Sequence, residues 1–419
     1  MKPRRLLILT NGHLCRNPRV VKEATTLGCA GHDVTVLGVR NYPPAEAHDT
    51  SITSGAPFRW ESINLLPRQG AASFLTRLRL RCWREVAARL GQPTVHALGP
   101  ATSLLARARA IPADLTIAHN EIAHWTGLRL RQEGRRVAAD IEDWHSEDLL
   151  PGDRRSRPLE LLRRLERDLL GRCLYTTTTS EALAQALHAR YGGLRPAVIT
   201  NAFPLQAAPR PGRPAGDRPP RFFWYSQTLG PGRGLEAFVR AWALTRQASG
   251  LVLLGEDRHG FRSLLLELVP SSRRAAVEFL PFCPPESLPA EIARHDLGLA
   301  LEDRTIPSRD LTITNKILQY LNAGLMVVAT PTAGQREVLS RQPAAGRLLD
   351  FGEPAAAAHL LDGLLSDPAN LARSQSAART LAEDTYCWEK ESPRLLRLVQ
   401  ESLPPAGPAP AAPTVNSSA

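Results

Sequence analysis

Short apolar runs alternate with stretches of helical spacing along most of the chain, and this alternation restricts its fold more than any other feature. The apolar runs of the first half lie at 4–10, 32–39, 114–120, 135–143, 174–179 and 196–204. Between the first two, residues 17–31 have the spacing of a helix that ends at Gly31. Parallel strands that are joined by helices and covered on both faces produce this pattern. The first half therefore predicts a doubly wound α/β domain.

A proline-rich segment divides the chain into two similar halves. Residues 206–220, QAAPRPGRPAGDRPP, contain five prolines and two glycines and break every periodicity, which predicts a linker. The apolar runs resume after it at 221–226, 250–256, 276–282, 296–302 and 325–330. We therefore predict an N-terminal domain over 1–205, a C-terminal domain over 221–385, and a disordered low-complexity tail over 403–419.

The net charge of +11 raises the question of a nucleic-acid partner. Arginine carries nearly all of the positive charge, since only four lysines occur, and no compact basic stripe with interleaved aromatic residues is present. We therefore do not expect nucleic-acid binding. An anionic membrane or an anionic substrate is a better candidate for the partner that the positive charge attracts.

The cysteines and the N-terminus bear on the compartment. The six cysteines are scattered without a CxxC pair, which is typical of reduced thiols in a cytoplasmic protein and does not favour metal binding. The apolar run after the N-terminal basic residues is only LLIL, too short for a signal peptide, and no stretch approaches the roughly 18 apolar residues of a membrane span. We expect a cytoplasmic protein.

Residues 73–90, SFLTRLRLRCWREVAARL, form a basic amphipathic pattern, with Phe74, Leu78, Trp83 and Leu90 among arginines. Such a helix can lie on an anionic bilayer. It can equally be a surface helix that packs its apolar stripe on the domain. The two interpretations are compatible, and both stay open.

Polar residues follow the predicted strands of the first half, where ligands bind in open α/β sheets. Gly12, His13 and Arg16 follow the first strand. His119 follows the run at 114–118 together with Asn120 and Glu121, and the next strand is followed by Asp143 and His145. Their grouping after successive strands indicates one side of a cleft.

A glycine-rich turn opens the second half. In SQTLGPGRGLEAFVRAW (226–242), Gly230, Gly232 and Gly234 lie between a strand and a helix. Glycines let backbone amides approach a ligand, a helix N-terminus attracts phosphate, and Arg233 would offer a forked cation to a diphosphate. The spacing fits neither a Walker loop nor a dinucleotide fingerprint. An ordinary turn remains the alternative.

Lys316 begins a predicted helix in TITNKILQYLNAG (312–324), where the helix dipole disfavours a positive charge. An anion at this position would explain the lysine, and the helical register puts Asn315 and Gln319 near the same side. If Arg233 and Lys316 both face a cleft between the domains, a diphosphate fits between them. The alternative is a solvated residue in the first turn.

Taken in order, these segments resemble the GT-B glycosyltransferases, specifically the retaining family 4 group of bacterial cell-surface polysaccharide and glycolipid synthesis. The resemblance covers the chain to about residue 400. It rests most on residues 315–339, which are similar to the donor-binding helix and following loop of the family. The other matching segments lie at 16–37, 118–120, 198–204 and 230–238.

The resemblance implies two Rossmann-like doubly wound domains that face a central cleft. A nucleotide-diphospho-sugar, with UDP or GDP, would be bound mostly by the C-terminal half, and a glycan or lipid-linked acceptor by the N-terminal half. Sugar transfer would retain the anomeric configuration and need no metal or other cofactor. Residues 386–402 would form a helix that crosses back to the first domain.

The resemblance matches Arg233 to the cation that binds the donor diphosphate and His119 to the histidine beside the transferred sugar, and the hypothesis of an active enzyme gives the other candidate residues their roles. His119 and Glu302 would lie by the transferred sugar. The donor would be bound by Gly232, Arg233, Gly234, Asn315, Lys316 and Gln319. The acceptor would be bound by Gly12, His13, Arg16, Asp143 and His145.

The chain departs from the family at three positions. The family commonly has two glutamates eight positions apart, and here Leu311 and Gln319 stand in their places. The second phosphate-binding cation of the family falls near Gln227, and Lys316 is its candidate replacement. Glu302 or Asp310 is the candidate replacement for the glutamate that is missing at Leu311. These departures leave open a non-catalytic GT-B-like subunit that binds a ligand or a partner. A non-hydrolysing sugar-nucleotide epimerase is a third possibility.

Overall fold

The computed structural model describes residues 3–66, 70–90, 94–148, 157–206, 218–257 and 260–403. We call the N-terminal α/β unit together with the last helix domain 1, and the α/β unit from residue 218 onward domain 2. The linker predicted at 206–220 lies mostly outside the described residues, as does the predicted tail beyond residue 403.

Domain 1 is built on one parallel sheet. Its strands are β1 (Arg5–Leu9), β2 (Asp33–Arg40), β3 (Arg59–Asn64), β4 (Leu115–His119), β5 (Val137–Asp140), β6 (Thr176–Thr178) and β7 (Ala197–Val198). Its helices are α1 (Pro18–Cys29), α2 (Glu46–Thr53), α3 (Gly70–Leu90), α4 (Ala101–Ala110), α5 (Glu121–Gln132), α6 (Leu159–Arg172) and α7 (Glu181–Tyr191). The strand order is β3-β2-β1-β4-β5-β6-β7, so the chain changes direction across the sheet between β1 and β4.

Domain 2 repeats the same plan. Its strands are β8 (Arg221–Leu229), β9 (Gly250–Asp257), β10 (Val277–Leu280), β11 (Leu297–Ala300), β12 (Met326–Ala329) and β13 (Gly346–Leu348). Its helices are α8 (Leu235–Ala243), α9 (Phe261–Glu267), α10 (Leu288–Ile292), α11 (Pro307–Leu311), α12 (Asn315–Asn322), α13 (Ala333–Arg341), α14 (Pro354–Leu365) and α15 (Pro368–Asp384). The helix α16 (Trp388–Ser402), which belongs to domain 1, follows them in the chain. The strand order β10-β9-β8-β11-β12-β13 puts the change of direction between β8 and β11. Two Rossmann-like domains were predicted, and the structure confirms them.

The central strands are mainly apolar because both faces of each sheet are covered. In β1, Leu7 and Leu9 belong to the core on one face of the sheet, whereas Leu6 and Ile8 belong to the core on the other. In β8, Phe222 and Phe223 divide between two cores in the same way. Successive side chains of a strand point to opposite faces, which explains the division.

Two edge strands, β3 and β13, were not predicted. The sequence of β3, RWESIN, is polar and only partly buried, and β13 has three residues, one of them glycine. An edge strand pairs on one side only and needs no continuous apolar run. Neither strand therefore carries the signal that marks the central strands.

The last helix, α16, packs on domain 1, although the chain reaches it from domain 2. The indole Nε1 of Trp388 donates to Thr26 Oγ1 in α1 at 2.8 Å. At the far end of the helix, Arg136 Nε donates to the carbonyl of Ser402 at 2.8 Å. The chain therefore crosses between the domains twice.

Two further features bear on the predicted compartment. All six cysteines are free thiols. Among the helices of the described residues, none is both long enough and apolar enough to span a bilayer.

Candidate functional site

Hydrogen bonds join the two domains at the carboxyl ends of their strands. The backbone N–H of Trp144, in the loop after β5, donates to the hydroxyl of Ser308 in α11 at 2.9 Å. The hydroxyl of Ser180, after β6, donates to the carbonyl of Leu311 at 2.6 Å. The ligand-binding edges of the two sheets therefore face each other.

The turn at 230–234 has the backbone conformation that its glycines allow. Gly232 and Gly234 have φ of +75° and +73°, a region that other residues rarely adopt. A Cβ atom on Gly234 would also lie 3.2 Å from Leu301 Cβ, in the loop after β11. Arg309 Nη1 donates to the carbonyl of Gly232 at 2.8 Å. The turn is thus tied to the neighbouring loop at the switch point of domain 2.

Arg233 lies between these two glycines and is half-buried. Its guanidinium makes no hydrogen bond or ion pair with any residue that the structure describes. It precedes α8, whose N-terminal N–H groups are unsatisfied and favour an anion. An unpaired arginine beside a helix N-terminus is the arrangement that binds a phosphate group.

Lys316 and Glu302 form a buried ion pair. Lys316 Nζ lies 2.8 Å from Glu302 Oε1, and both side chains are buried. The ammonium also lies 5.7 Å from the centroid of the Trp224 ring. Lys316 is therefore not the solvated first-turn residue that the sequence left open. Two residues with separate predicted roles, phosphate binding and sugar contact, are partners of each other in this structure.

Gln319 lies beside this pair and is held by Tyr225. The Tyr225 hydroxyl donates to Gln319 Oε1. Burial, and to a lesser degree the charge of Glu302, raises the pKa of Tyr225 above its usual range, so the phenol stays protonated. Asn315 begins α12 and is half-buried. The predicted donor residues of α12 therefore share one neighbourhood with Glu302.

The two other positions that depart from the family are accounted for differently. Leu311 is partly buried and packs against the core of domain 1, so it belongs to the contact between the domains. Gln227 is exposed, in β8, where the strand register shifts between Tyr225 and Thr228.

His119 ends β4 and lies inside domain 1, with 1% of its surface exposed. Its Nε2 atom is 2.6 Å from Glu23 Oε2, and its Nδ1 atom is 3.2 Å from Asp140 Oδ2. Burial alone would lower the pKa of His119, but the charges of Glu23 and Asp140 outweigh it and raise the pKa to about 10. The imidazolium is thus held between two carboxylates. Asn120, the next residue after this strand, is partly exposed, whereas His119 is not.

Asn120 has an unusual backbone. Its φ of +70° is positive, which no other non-glycine residue of the described chain shows. The strain is stabilised by its side chain, since Asn120 Oδ1 accepts hydrogen bonds from Thr10 Oγ1 at 3.0 Å and Asn17 Nδ2 at 3.3 Å. Backbone strain of this kind clusters at functional sites. It lies at the switch point of domain 1.

His13 is buried and braces the loops around it. Its Nδ1 atom lies 2.7 Å from Asp49 Oδ2, and its Nε2 atom accepts the backbone N–H groups of Asn41 and Tyr42 at 3.0 Å. With Glu46 and Asp49, it also forms the one group in the described residues whose spacing suits a metal ion. Hydrogen bonds occupy both ring nitrogens of His13, and they connect the loop after β1 to α2 and to the loop after β2.

Gly12 and Arg16, the other candidates after β1, differ from His13. Gly12 is partly exposed, and a Cβ atom there would meet nothing within 4 Å. The Arg16 guanidinium stacks 4.2 Å from the centroid of the Tyr42 ring. Gly12 therefore lies at open space, whereas Arg16 packs on the loop after β2.

Asp143 and His145, after β5, lie in a group of titratable side chains. His145 Nδ1 is 3.8 Å from Glu121 Oε1. Burial, together with the charges of Glu142 and Asp148, raises the pKa of Asp143 to about 7. Burial would lower the pKa of His145, but Glu121 and Asp143 raise it. Asp143 can therefore exchange a proton with a neighbouring group near neutral pH.

The family model described as "Glycosyl transferases group 1" matches residues 219–367. The matched range lies in domain 2 and includes the glycine turn and α12. Among curated protein sequences, none matches this chain significantly.

Solved structures share the fold over nearly the whole chain. Anabaena HepE, in complex with UDP-glucose, is 16% identical with a TM-score of 0.68, over 95% of this chain and 100% of that one. A glycosyltransferase from Rickettsia africae is 12% identical with a TM-score of 0.66, over 97% and 100%. A Listeria monocytogenes protein assigned as a UDP-N-acetylglucosamine 2-epimerase is 11% identical with a TM-score of 0.57, over 96% and 97%. These likenesses confirm the GT-B fold, which glycosyltransferases and the protein assigned as an epimerase share.

Sequence reasoning assigned no role to several residues of this site. Tyr225 lies within an apolar strand, and nothing in its sequence context marks it. Arg309 is one of many arginines, and only the structure shows that it holds the glycine turn. For Asn120, the signal was its place directly after a strand, but the backbone strain is not visible in the sequence.

Proposed function

We propose that this protein is a retaining glycosyltransferase that moves a sugar from a nucleotide-diphospho-sugar, a UDP- or GDP-sugar, to a glycan or lipid-linked acceptor. The reaction would belong to cell-surface polysaccharide or glycolipid synthesis. The observation that carries the proposal is Arg233 in the glycine turn at the N-terminus of α8, whose guanidinium has no partner in the described part of the chain. The family match over the same domain supports it, as does the UDP-glucose complex of HepE, which has the same fold.

The donor diphosphate is the group whose negative charge grows as the glycosidic bond breaks, and stabilising that charge is the main catalytic requirement. Arg233 and the N–H groups of the glycine turn supply this stabilisation, without a metal or other cofactor. Lys316 is bonded to Glu302 in the structure. A diphosphate that reaches this pair competes with the carboxylate for the ammonium, which would then become the second cation of the site.

The proposed transfer proceeds on one face of the sugar. The acceptor hydroxyl oxygen forms a bond to the anomeric carbon from the side on which the diphosphate departs, so the configuration is retained. The carbon–oxygen bond to the phosphate breaks through an oxocarbenium-like state, and the hydroxyl proton passes to the departing phosphate oxygen. Asp143 and His145 are the candidates for orienting the acceptor.

A specific observation favours a second function, a non-catalytic GT-B-like subunit. Lys316 is neutralised by Glu302, Leu311 packs between the domains, and Gln227 carries no charge. Arg233 alone would then bind a ligand without the charge needed for catalysis. An epimerase of the same fold differs from both in its product.

A thermal-shift screen with UDP, GDP, ADP and dTDP tests the donor site. The variants are Arg233→Ala and Lys316→Met, with Arg240→Ala as the control, because Arg240 is an exposed arginine further along α8. A ligand at 100 times its dissociation constant stabilises a protein by about 2.7 kcal/mol. We expect one nucleotide to stabilise the wild type and the control, and to lose most of its effect in Arg233→Ala.

Turnover then separates the candidate functions. Release of the nucleotide from its sugar donor with transfer to an acceptor supports the glycosyltransferase, and an epimerised nucleotide-sugar supports the epimerase. Nucleotide binding without either product supports the non-catalytic subunit. Failure of all four nucleotides to stabilise the wild type would overturn the donor site itself. The proposal extends to a cytoplasmic location at the inner face of the membrane, with residues 73–90 as the contact.

A further inference from the structure

Helix α3 exposes apolar side chains that most surfaces keep buried. Eight large apolar side chains are exposed in the described part of the chain, and three of them, Phe74, Leu75 and Leu78, lie within five residues of this helix. Their exposed fractions are 56%, 62% and 47%. Farther along the same helix, Leu80 is buried and Trp83 stacks on His96. The helix is therefore packed on domain 1 along one side and leaves an apolar end uncovered.

A cavity of about 550 Å³ lies between α3 and the sheet of domain 1. Arg77 and Arg81 line it, and neither has a hydrogen bond or ion pair with a described residue. Glu85 also lines it, and its carboxylate lies 3.7 Å from the guanidinium of Arg89. The cavity thus offers two cations that have no partner among the described residues, against one carboxylate that already has a partner.

The cavity opens at the ligand-binding edge of the sheet. Asn11 follows β1, Asn41 follows β2 and Leu65 follows β3, and all three line the cavity. Ile122, in the first turn of α5 after β4, lines it too. Ligands of parallel α/β sheets bind beyond the carboxyl ends of strands that flank a switch point. Cavities of about 300–1,000 Å³ are typical of sites for small molecules.

The apolar end and the cations are adjacent around the helix. At about 100° per residue, Arg81, Phe74 and Leu78 all project within about 100° of Arg77. A molecule whose charged group contacts Arg77 and Arg81 can therefore continue along Phe74 and Leu78. An apolar chain attached to an anionic head has this shape.

We propose that the cavity binds the phosphate or diphosphate group of a lipid-linked acceptor, while Phe74, Leu75 and Leu78 contact the apolar layer of the membrane that holds it. This inference rests on the proposed function and narrows its acceptor to a sugar joined to a lipid through phosphate. Arg77 and Arg81 bind the phosphate at the membrane surface. The sugar end of the acceptor then extends along the strand ends toward the cleft.

Isothermal titration with octyl phosphate tests the cavity, with inorganic phosphate and octyl glucoside as probes that lack one of its two parts. The variant is Arg77→Gln/Arg81→Gln, and Arg77→Lys/Arg81→Lys keeps the charge. The matched control is Arg190→Gln/Arg240→Gln, which removes two exposed arginines elsewhere. Arg233→Ala shows whether the probe binds at the donor turn instead.

We expect octyl phosphate to bind the wild type more tightly than either other probe. The glutamine pair should weaken binding at least tenfold, the lysine pair less, and both Arg190→Gln/Arg240→Gln and Arg233→Ala less than twofold. Unchanged binding in the glutamine pair would overturn the cavity as a phosphate site. Tighter binding of inorganic phosphate than of octyl phosphate would overturn the lipid-linked ligand.

Sedimentation with vesicles tests the membrane contact. Vesicles of phosphatidylcholine, with and without phosphatidylglycerol, are compared for the wild type, for Phe74→Ser/Leu75→Ser/Leu78→Ser and for the control Leu194→Ser/Leu244→Ser/Leu360→Ser. The control removes three apolar side chains that are exposed to a similar extent. We expect the α3 variant, and not the control, to lose binding to anionic vesicles. Equal binding by both would overturn the contact.

Further outcomes distinguish a lipid headgroup from the acceptor as the source of the phosphate, and the acceptor site from the donor site. If the glutamine pair lost vesicle binding but kept octyl phosphate binding, the arginines would contact only lipid headgroups, and the acceptor site would be overturned. Octyl phosphate is titrated in the absence of a donor, so its binding does not depend on the donor site. If the wild type binds octyl phosphate but no nucleotide, the donor site alone is refuted. If the wild type turns over its donor and Arg77→Gln/Arg81→Gln leaves octyl phosphate binding unchanged, the acceptor site alone is refuted.

Discussion

Replacing Lys316 by methionine should destabilise domain 2 strongly, because it leaves the Glu302 carboxylate buried without its partner. The ammonium and the carboxylate are 2.8 Å apart, and their side chains are only 9% and 6% exposed. Removing one partner of such a pair costs about 3–5 kcal/mol. In a domain of this size the change corresponds to a fall in melting temperature of roughly 6–20 °C.

The double variant Lys316→Met/Glu302→Gln separates charge from packing. It removes both charges, and methionine keeps an apolar chain near the Trp224 ring, so we expect its stability to return to within about 2 kcal/mol of the wild type. Thermal unfolding followed by tryptophan fluorescence suits the measurement, because Trp224 and Trp242 are fully buried in domain 2. Arg240→Met, at an exposed arginine, is the control and should change stability by less than about 0.5 kcal/mol.

Two results would refute this reasoning. If the free energy of unfolding of Lys316→Met were within about 1 kcal/mol of the wild-type value, water or another cation would be solvating the Glu302 carboxylate, and the pair would not be shielded from solvent. If the double variant were as unstable as Lys316→Met, the loss would come from packing against Trp224 and not from the unpaired charge.

Three further predictions concern domain 1 and its contact with domain 2. His119→Asn should lower the melting temperature near neutral pH. Because the pKa of His119 is raised to about 10, the imidazolium contributes stability fully below its unfolded pKa of about 6.5 and loses that contribution as the pH rises through the folded value. The gap between variant and wild type should therefore shrink toward pH 10, and a gap constant from pH 6 to pH 10 would contradict the assignment. Asn120→Ala should be about 1–3 kcal/mol less stable than Asn120→Gly in urea unfolding, since both lose the amide and only alanine keeps the backbone strain; equal stability would mean that the strain is absent. Leu311→Glu should lower the melting temperature without increasing donor turnover, because the carboxylate would enter the apolar contact with domain 1. A gain in turnover would show that the position faces the donor.

The fold could be predicted because its central strands are buried on both faces. Most of them are apolar runs, as in Leu6 to Leu9, and the turns and helices between them have their own signals. The edge strand β3 escaped because one-sided pairing leaves it polar. The glycine turn could be predicted as well, since Gly232 and Gly234 adopt conformations that few other residues tolerate.

The candidate site was predicted less completely because side-chain partners depend on distances across the sheet. Lys316 and Glu302 are 14 positions apart, and their contact arises only when β11 and the start of α12 come together. His119 meets Glu23, from α1, across 96 positions. A sequence pattern shows which residues follow a strand, but it does not show which of them turn inward to a partner. The roles assigned to His119 and His13 therefore remain predictions, and the structure buries both side chains.

The return of α16 to domain 1 has a consequence for synthesis on the ribosome. Trp388, Leu395 and Val399 belong to the same core cluster as Leu6 and Ile8 of β1, so the hydrophobic face of the first domain is completed by the last helix. At about 5–20 residues per second, roughly 10–40 s separate the synthesis of the sheet from that of this helix. Domain 2 is continuous in sequence, and its helix α15 is synthesised directly before α16. The domain that is translated first is thus completed only after the whole of domain 2 has been synthesised, and until then the nascent chain carries an uncovered apolar surface that a chaperone can bind.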